Sequence, residues 1–182
     1  AATLTAGVER EIDQNWTLGA GGLLELLEPT DDGVFNRYRL AGLPTFLRYD
    51  GTRDPLDPKS GQKFNVAATP YVGRDQDDQR VAFTPVDGGL SAYLPIDEDE
   101  RYVLAARGRY GFTLVDELST VPDSKRLYSG GGGSVRGYAE RSIGPLDEDD
   151  DPEGGLSVIE LSGELRARFG EAIGGAAFVD AG

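Results

Sequence analysis

Arg136 has the most specific surroundings in this sequence. It follows four consecutive glycines at 130–133 and sits in Ser134-Val135-Arg136-Gly137-Tyr138. A guanidinium is neither nucleophile nor general acid at ordinary pH. Its chemistry is to hold carboxylates or phosphates through a planar fork of N–H donors. Two later carboxylates could receive it: Glu164 in Ser162-Gly163-Glu164-Leu165-Arg166, and Asp180 in Phe178-Val179-Asp180-Ala181-Gly182. A guanidinium taken out of water needs such partners, because an unpaired charge there is costly. Bidentate pairing would hold the segment carrying Arg136 in one pose. Plainer readings stand beside this one. A glycine tract is linker composition, Arg136 could be a surface arginine, and Glu164 and Asp180 could be plain lumen charges.

Catalysis has little to work with. The chain has no histidine and no cysteine, which removes Ser-His-Asp and Cys-His catalysis and thiolate or imidazole zinc sites. Glu160 with Glu164, and Asp54 with Asp57, have the residue types of a general acid/base pair, but no nucleophile accompanies them. The acidic run at 147–151 lacks the ordered spacing of a calcium loop and reads as a solvated loop. No catalytic residue, cofactor or metal site is expected. A net charge of −14 and a pI of about 4.3 leave no basic face for nucleic acid.

The elements that must position these residues are strands. Apolar and polar residues alternate with period two over about 3–11, 16–25, 36–48, 63–72, 81–94, 101–114, 157–169 and 173–181. Leu4, Ala6 and Val8 share a face of the first run, and Trp16, Leu18, Ala20, Gly22 and Leu24 a face of the second. The third run sets Tyr38, Leu40, Gly42, Pro44 and Phe46 against Arg37, Arg39, Ala41 and Thr45, with a break or bulge expected at Pro44. Phe64, Val66, Ala68 and Val72 share a face of the fourth, and Pro85 and Gly88-Gly89 blur the fifth. In the sixth, Tyr102, Leu104, Tyr110 and Phe112 oppose Arg107 and Arg109; in the seventh, Ile159, Leu161 and Leu165 oppose Glu160, Glu164 and Arg166. Asp180 shares a face with Ala176 and Phe178. A polar loop is expected at 29–33 and a tight turn at Gly170-Glu171. Between the sixth and seventh runs the pattern stops for about 40 residues, over 115–155, which is long for a connection without structure. The glycines there are expected to let the backbone pass close to a neighbouring wall.

One apolar and one charged face fit two architectures. In a soluble sandwich the apolar side chains point inward; in a transmembrane barrel they face lipid and the charges line the lumen. Three features favour the barrel. The runs match the roughly 9–11 residues needed to span a bilayer. The apolar face is rich in Gly and Ala, which would make a thin core but is tolerable against lipid. Aromatics (Trp16, Tyr38, Phe46, Tyr102, Phe112, Phe169) lie toward run ends, as in interfacial girdles. Turns alternate between short and long, apart from a long one before Gly61. A mean hydropathy of −0.38 does not oppose this, since only every second strand residue need be apolar. The fold class expected is all-β, an antiparallel transmembrane β-barrel fragment. A loop over 115–155 would fold into the lumen and set Arg136 beside Glu164 and Asp180.

Ser134-Val135-Arg136-Gly137-Tyr138, Gly144-Pro145, Gly154-Gly155, Glu164 and Phe178-Val179-Asp180-Ala181-Gly182 resemble the C-terminal barrel of the BamA/TamA superfamily, the bacterial surface antigen proteins. The match is strongest over 125–182. Upstream it rests on the strand pattern and on a turn, Asp54-Pro55-Leu56-Asp57-Pro58-Lys59-Ser60-Gly61, similar to the family's Asn-Pro-rich periplasmic turn. The spacing around Gly130, Gly131, Ser134, Val135, Gly137 and Tyr138 is most similar to the TamA branch. The resemblance implies an extracellular loop over 115–155 folded inward, with Arg136 latched to Glu164 and Asp180, and a strand motif at Phe178 and Gly182. It implies about eight strands of a roughly 16-stranded barrel, and so a piece of a longer protein.

The function implied is assembly or translocation at the bacterial outer membrane, without enzymatic activity. The partners are the outer-membrane bilayer and unfolded β-barrel or autotransporter clients; the resemblance also admits a periplasmic TamB-like partner. Alternatives are a two-partner secretion pore, a barrel anchor fused to a separate enzyme domain, and a soluble all-β binding domain. No Gly-x-Ser-x-Gly elbow is present in this chain.

Overall fold

The computed structural model describes residues 1–28, 30–31, 34–170 and 173–182. Part of the loop expected at 29–33, and Glu171 of the expected Gly170-Glu171 turn, lie outside the described residues. In chain order the strands are β1 (Ala2–Glu11), β2 (Trp16–Leu27), β3 (Thr30–Asp31), β4 (Val34–Phe35), β5 (Tyr38–Gly42), β6 (Thr45–Asp50), β7 (Gly61–Ala68), β8 (Tyr71–Arg74), β9 (Arg80–Pro95), β10 (Tyr102–Leu114), β11 (Ser157–Arg168) and β12 (Gly174–Ala181). Apart from the small β3–β4 pair, they form one ten-stranded antiparallel sheet.

Proline shapes the middle of this sheet. β5 and β6 are halves of one run cut at Leu43-Pro44, and β7 and β8 are halves of another cut at Thr69-Pro70. Proline offers no ladder donor, but its carbonyl still pairs. Gly21 N–H donates to Pro44 O at 2.8 Å, and Leu43 N–H to Pro70 O at 3.0 Å. With each cut pair counted once, the sheet is eight strands, each bonded to the next in sequence. The break expected at Pro44 is present. β9 instead runs unbroken through Pro85, whose carbonyl accepts from Thr69 N–H at 3.1 Å.

The apolar residues of most runs lie on the open face. Leu104 pairs with Leu94 on one side and Leu165 on the other, and all three are exposed. Val8 is 79 % exposed and Ile159 is 68 % exposed. So broad an apolar surface is foreign to a soluble monomer and is what a bilayer would cover.

The opposite face, here the inner one, carries Arg109, Glu160, Glu164 and Asp180, and near one rim an apolar cluster. Leu27, Leu40, Tyr71, Val81 and Phe83 pack there with Val121, and the Tyr71 and Phe83 rings stack at 5.0 Å. This corrects the reading of the third run. Tyr38 pairs with buried Leu27 and Phe46 with Gly19, so Tyr38, Leu40 and Phe46 face inward while Arg39, Ala41 and Leu43 face outward. Tyr38 and Phe46 therefore belong to no outer girdle. Phe46 instead lies under the Arg48 guanidinium at 4.1 Å.

Residues 115–156 connect β10 to β11 across this inner face. They hold two single-turn 3₁₀ helices, Leu118–Thr120 and Asp123–Lys125. Val121 between them is 1 % exposed.

Candidate functional site: the Arg136 cluster

Backbone geometry sets the loop tip. Gly137 has φ +90°, and a Cβ there would meet nothing, so conformation and not space demands glycine. Gly130, at φ +107°, is restricted in both ways, since a Cβ would stand 2.5 Å from Ala139 O. Contrary to the expectation from sequence, the glycine tract does not serve a close passage along the sheet. Gly132 and Gly133 face open space, and the neighbours of Gly130 and Gly131 (Ala139, Glu140, Ser142) belong to the loop itself. The close approach to the wall is made elsewhere. A Cβ at Gly182 would lie 2.7 Å from Val135 Cγ2, and Val135 is 2 % exposed.

The structure brings Arg136, Glu164 and Asp180 together. Arg136 Nε donates to Asp180 Oδ2 at 2.7 Å and Nη2 to Asp180 Oδ1 at 2.8 Å. The backbone N–H of Arg136 also donates to Oδ2, at 3.0 Å. Nη1 donates to Glu164 Oε2 at 2.8 Å and Nη2 to Ser162 Oγ at 2.9 Å. The guanidinium is thus held by two neighbouring strands. Phe178 closes the assembly from below, its ring centroid 3.5 Å from Arg136 Cζ, a cation–π contact. Glu164 is shared with Arg166, whose Nε lies 2.7 Å from Oε1. Two guanidinium groups so face two carboxylates, and the Asp180 side chain is only 3 % exposed.

Sequence reasoning missed the residues that extend the cluster. Ser134 Oγ donates to Glu160, accepts from Gly130 N–H at 2.9 Å and lies 3.2 Å from Ser129 Oγ. Arg109 holds Asp87 at 2.9 Å and reaches Glu160 at 3.4 Å. Arg109 and Glu160 stand directly opposite in the β10–β11 register; the sequence shows only that each lies on the charged face of its run. Tyr138 is 60 % exposed and takes no part in the cluster.

A second attachment lies at the other end of the connection. Lys125 Nζ is 2.7 Å from Glu25 Oε2 and donates to Tyr71 Oη at 3.3 Å. Burial works against the Lys125 ammonium, but the hydrogen bonds to Glu25 and Tyr71 outweigh it and raise its pKa. Glu25 is in β2 and Asp180 in β12, so the connection is tied at both sides of the sheet.

These contacts bind and hold, and the carboxylates that could form an acid/base pair are engaged in them. Glu160 and Glu164 each engage a different arginine. Asp54 spends its carboxylate on the N–H groups of Leu56 and Asp57, and Asp57 pairs with Arg168 at 3.2 Å. Asp147 in the acidic run accepts from the N–H groups of Asp149 and Asp151, a turn within the loop.

A crystal structure of BamA from Haemophilus ducreyi lacking POTRA domains 1-3 is similar to this chain, with a TM-score of 0.74 and 22 % sequence identity. The likeness covers 98 % of this chain and 40 % of that one, so this chain spans less than half of the compared protein. It bears on the fold alone: an antiparallel sheet consistent with part of a barrel. A sequence model of the Omp85 superfamily domain matches residues 3–182, and the chain belongs to the Omp85 superfamily.

Proposed function

We propose that the chain is the middle part of an outer-membrane barrel that assembles or translocates other proteins, and that Arg136 is its latch and not a catalytic group. The setting is the bacterial outer membrane, and residues 115–155 are an extracellular loop folded into the lumen. Family membership supports this, as does the apolar outer face. The observation that carries the latch is the placement of one loop guanidinium on Asp180 of β12 and Glu164 of β11 together. Held so, the loop stiffens a wall whose strand edge can template an incoming client strand. Clients would be unfolded β-barrel or autotransporter chains. The Gly130–Tyr138 spacing favours the TamA branch, and with it a TamB-like periplasmic partner, which co-purification of the full-length protein would detect. Arg136→Ala in the full-length protein should slow client insertion into proteoliposomes while leaving the barrel folded by heat-modifiable gel migration. Unchanged insertion would rule the latch out.

A further inference from the structure

Three arginines line up on the outer face at the rim from which the long connections leave. Arg39 of β5 pairs with Arg74 of β8, and Arg74 with Arg80 of β9. These are direct cross-strand neighbours on one face, an arrangement of like charges that destabilises a sheet. The only carboxylate offered to them among the described residues is Asp78, 3.0 Å from Arg74 and 3.7 Å from Arg39. No ion pair is formed by Arg80 among the described residues. Nearby Asp75 is turned away, accepting from the N–H groups of Asp77 and Gln79.

Directly beneath the row, toward the middle of the sheet, the next outward positions are Ala41, Val72 and Ala82, in the same register. Leu24 and Leu4 continue that line onto β2 and β1. Leu4, Leu24, Leu26, Ala41 and Val72 line an apolar groove of about 550 Å³ whose upper edge is Arg39. An apolar groove edged by Arg39, with three arginines in the row and one carboxylate shared between two of them, fits an amphiphile with an anionic head, the head taken by guanidinium forks and the chain by the groove. In a chain of net charge −14, a cationic row above bare aliphatic side chains is not explained by solubility.

We propose that Arg39, Arg74 and Arg80 form a binding site for the phosphate head group of a membrane lipid whose acyl chain lies in the groove below. The site rests on the membrane-barrel reading but not on the Arg136 latch. The bound phosphate supplies the counter-charge that the single carboxylate of Asp78 leaves unmet, and it anchors the β5–β9 region at a set depth in its leaflet. The residues belong to one continuous stretch of paired strands, so the site is preformed.

The test uses the full-length protein in nanodiscs of phosphatidylcholine with a small share of bisphosphorylated lipid A, followed by native mass spectrometry of retained lipid. Wild type should retain the phosphorylated lipid at least about fivefold more than its dephosphorylated counterpart. Arg39→Gln/Arg74→Gln/Arg80→Gln should remove that preference, and Arg80→Gln alone should weaken it. Equal retention of the two lipids by wild type overturns the proposal without use of any variant. Equal retention of phosphorylated lipid by wild type and triple variant also overturns it. Full displacement by millimolar inorganic phosphate would show a free-phosphate site and overturn the assignment to lipid. Heat-modifiable migration separates the two readings: a wild type that never enters the bilayer refutes the barrel, and a folded barrel without lipid preference refutes only this site.

Discussion

Asp180 receives Arg136 three times, through the backbone N–H, Nε and Nη2. No other residue in the cluster fixes both the main chain and the side chain of the loop tip. This joint hold needs a planar fork, which lysine lacks. Arg136→Lys should therefore behave closer to Arg136→Ala than to wild type. Limited proteolysis within 115–155 of the full-length protein measures this, and protection of Arg136→Lys equal to wild type would refute it.

Val135 seats where a side chain at Gly182 would be, with 2.7 Å between Val135 Cγ2 and a Cβ there. Gly182→Ala should unseat the loop tip, with an overpacking cost of about 1–3 kcal/mol. Val135→Ala should partly rescue Gly182→Ala, giving a non-additive pair in a double-mutant cycle. Strict additivity in loop protection would show that the two sites do not touch.

The glycine tract should divide into needed and dispensable members. Gly137 has φ +90°, and a Cβ at Gly132 would meet nothing. Gly137→Ala should loosen the loop, with a backbone penalty of about 1–3 kcal/mol, and Gly132→Ala should be silent. Proteolysis rates that rank the two the other way would contradict this.

Asp97, in the turn before β10, should give a pH signature. Its carboxylate is held below the usual 3.8, first by the N–H of Tyr102 and then by the Arg101 guanidinium. A depressed folded-state value means that its contribution is full above the unfolded value and is lost as pH falls through the lower folded one. The Tyr102 amide resonance should stay constant from neutral pH down to about 4 and move only below the ordinary aspartate value. Asp97→Ala should remove that step.

Much of this molecule is legible in its sequence because a one-residue alternation is a strong signal where one face meets a uniform environment. Ile159, Leu161 and Leu165 against Glu160 and Glu164 settle the direction of β11 in that way. The signal fails on β5 and β6. There Leu40 faces the apolar Val121 of the connection, and both faces of the strand carry apolar side chains. Charge type pointed to Arg136, Glu164 and Asp180, since a lone cation among strand carboxylates invites pairing. Ser134 with Glu160 and Lys125 with Glu25 were not legible. They depend on how an irregular connection crosses the sheet, and no periodicity encodes that path. The roles of the glycines were misread for the same reason: the sequence shows the absence of a Cβ, not the direction it would have pointed.

The latch itself can be read as a distance. These 182 residues have no cysteine, so once any cysteine elsewhere in the full-length protein is replaced, spin labels can be placed at Gly132→Cys, in open space, and at Val179→Cys, 71 % exposed on the outer face. Double electron–electron resonance on the full-length protein in nanodiscs should give one narrow distance distribution for the labelled parent. Adding Arg136→Ala should broaden it severalfold. An equally narrow, unshifted distribution with Arg136→Ala would contradict the claim that Arg136 holds the loop to β11 and β12.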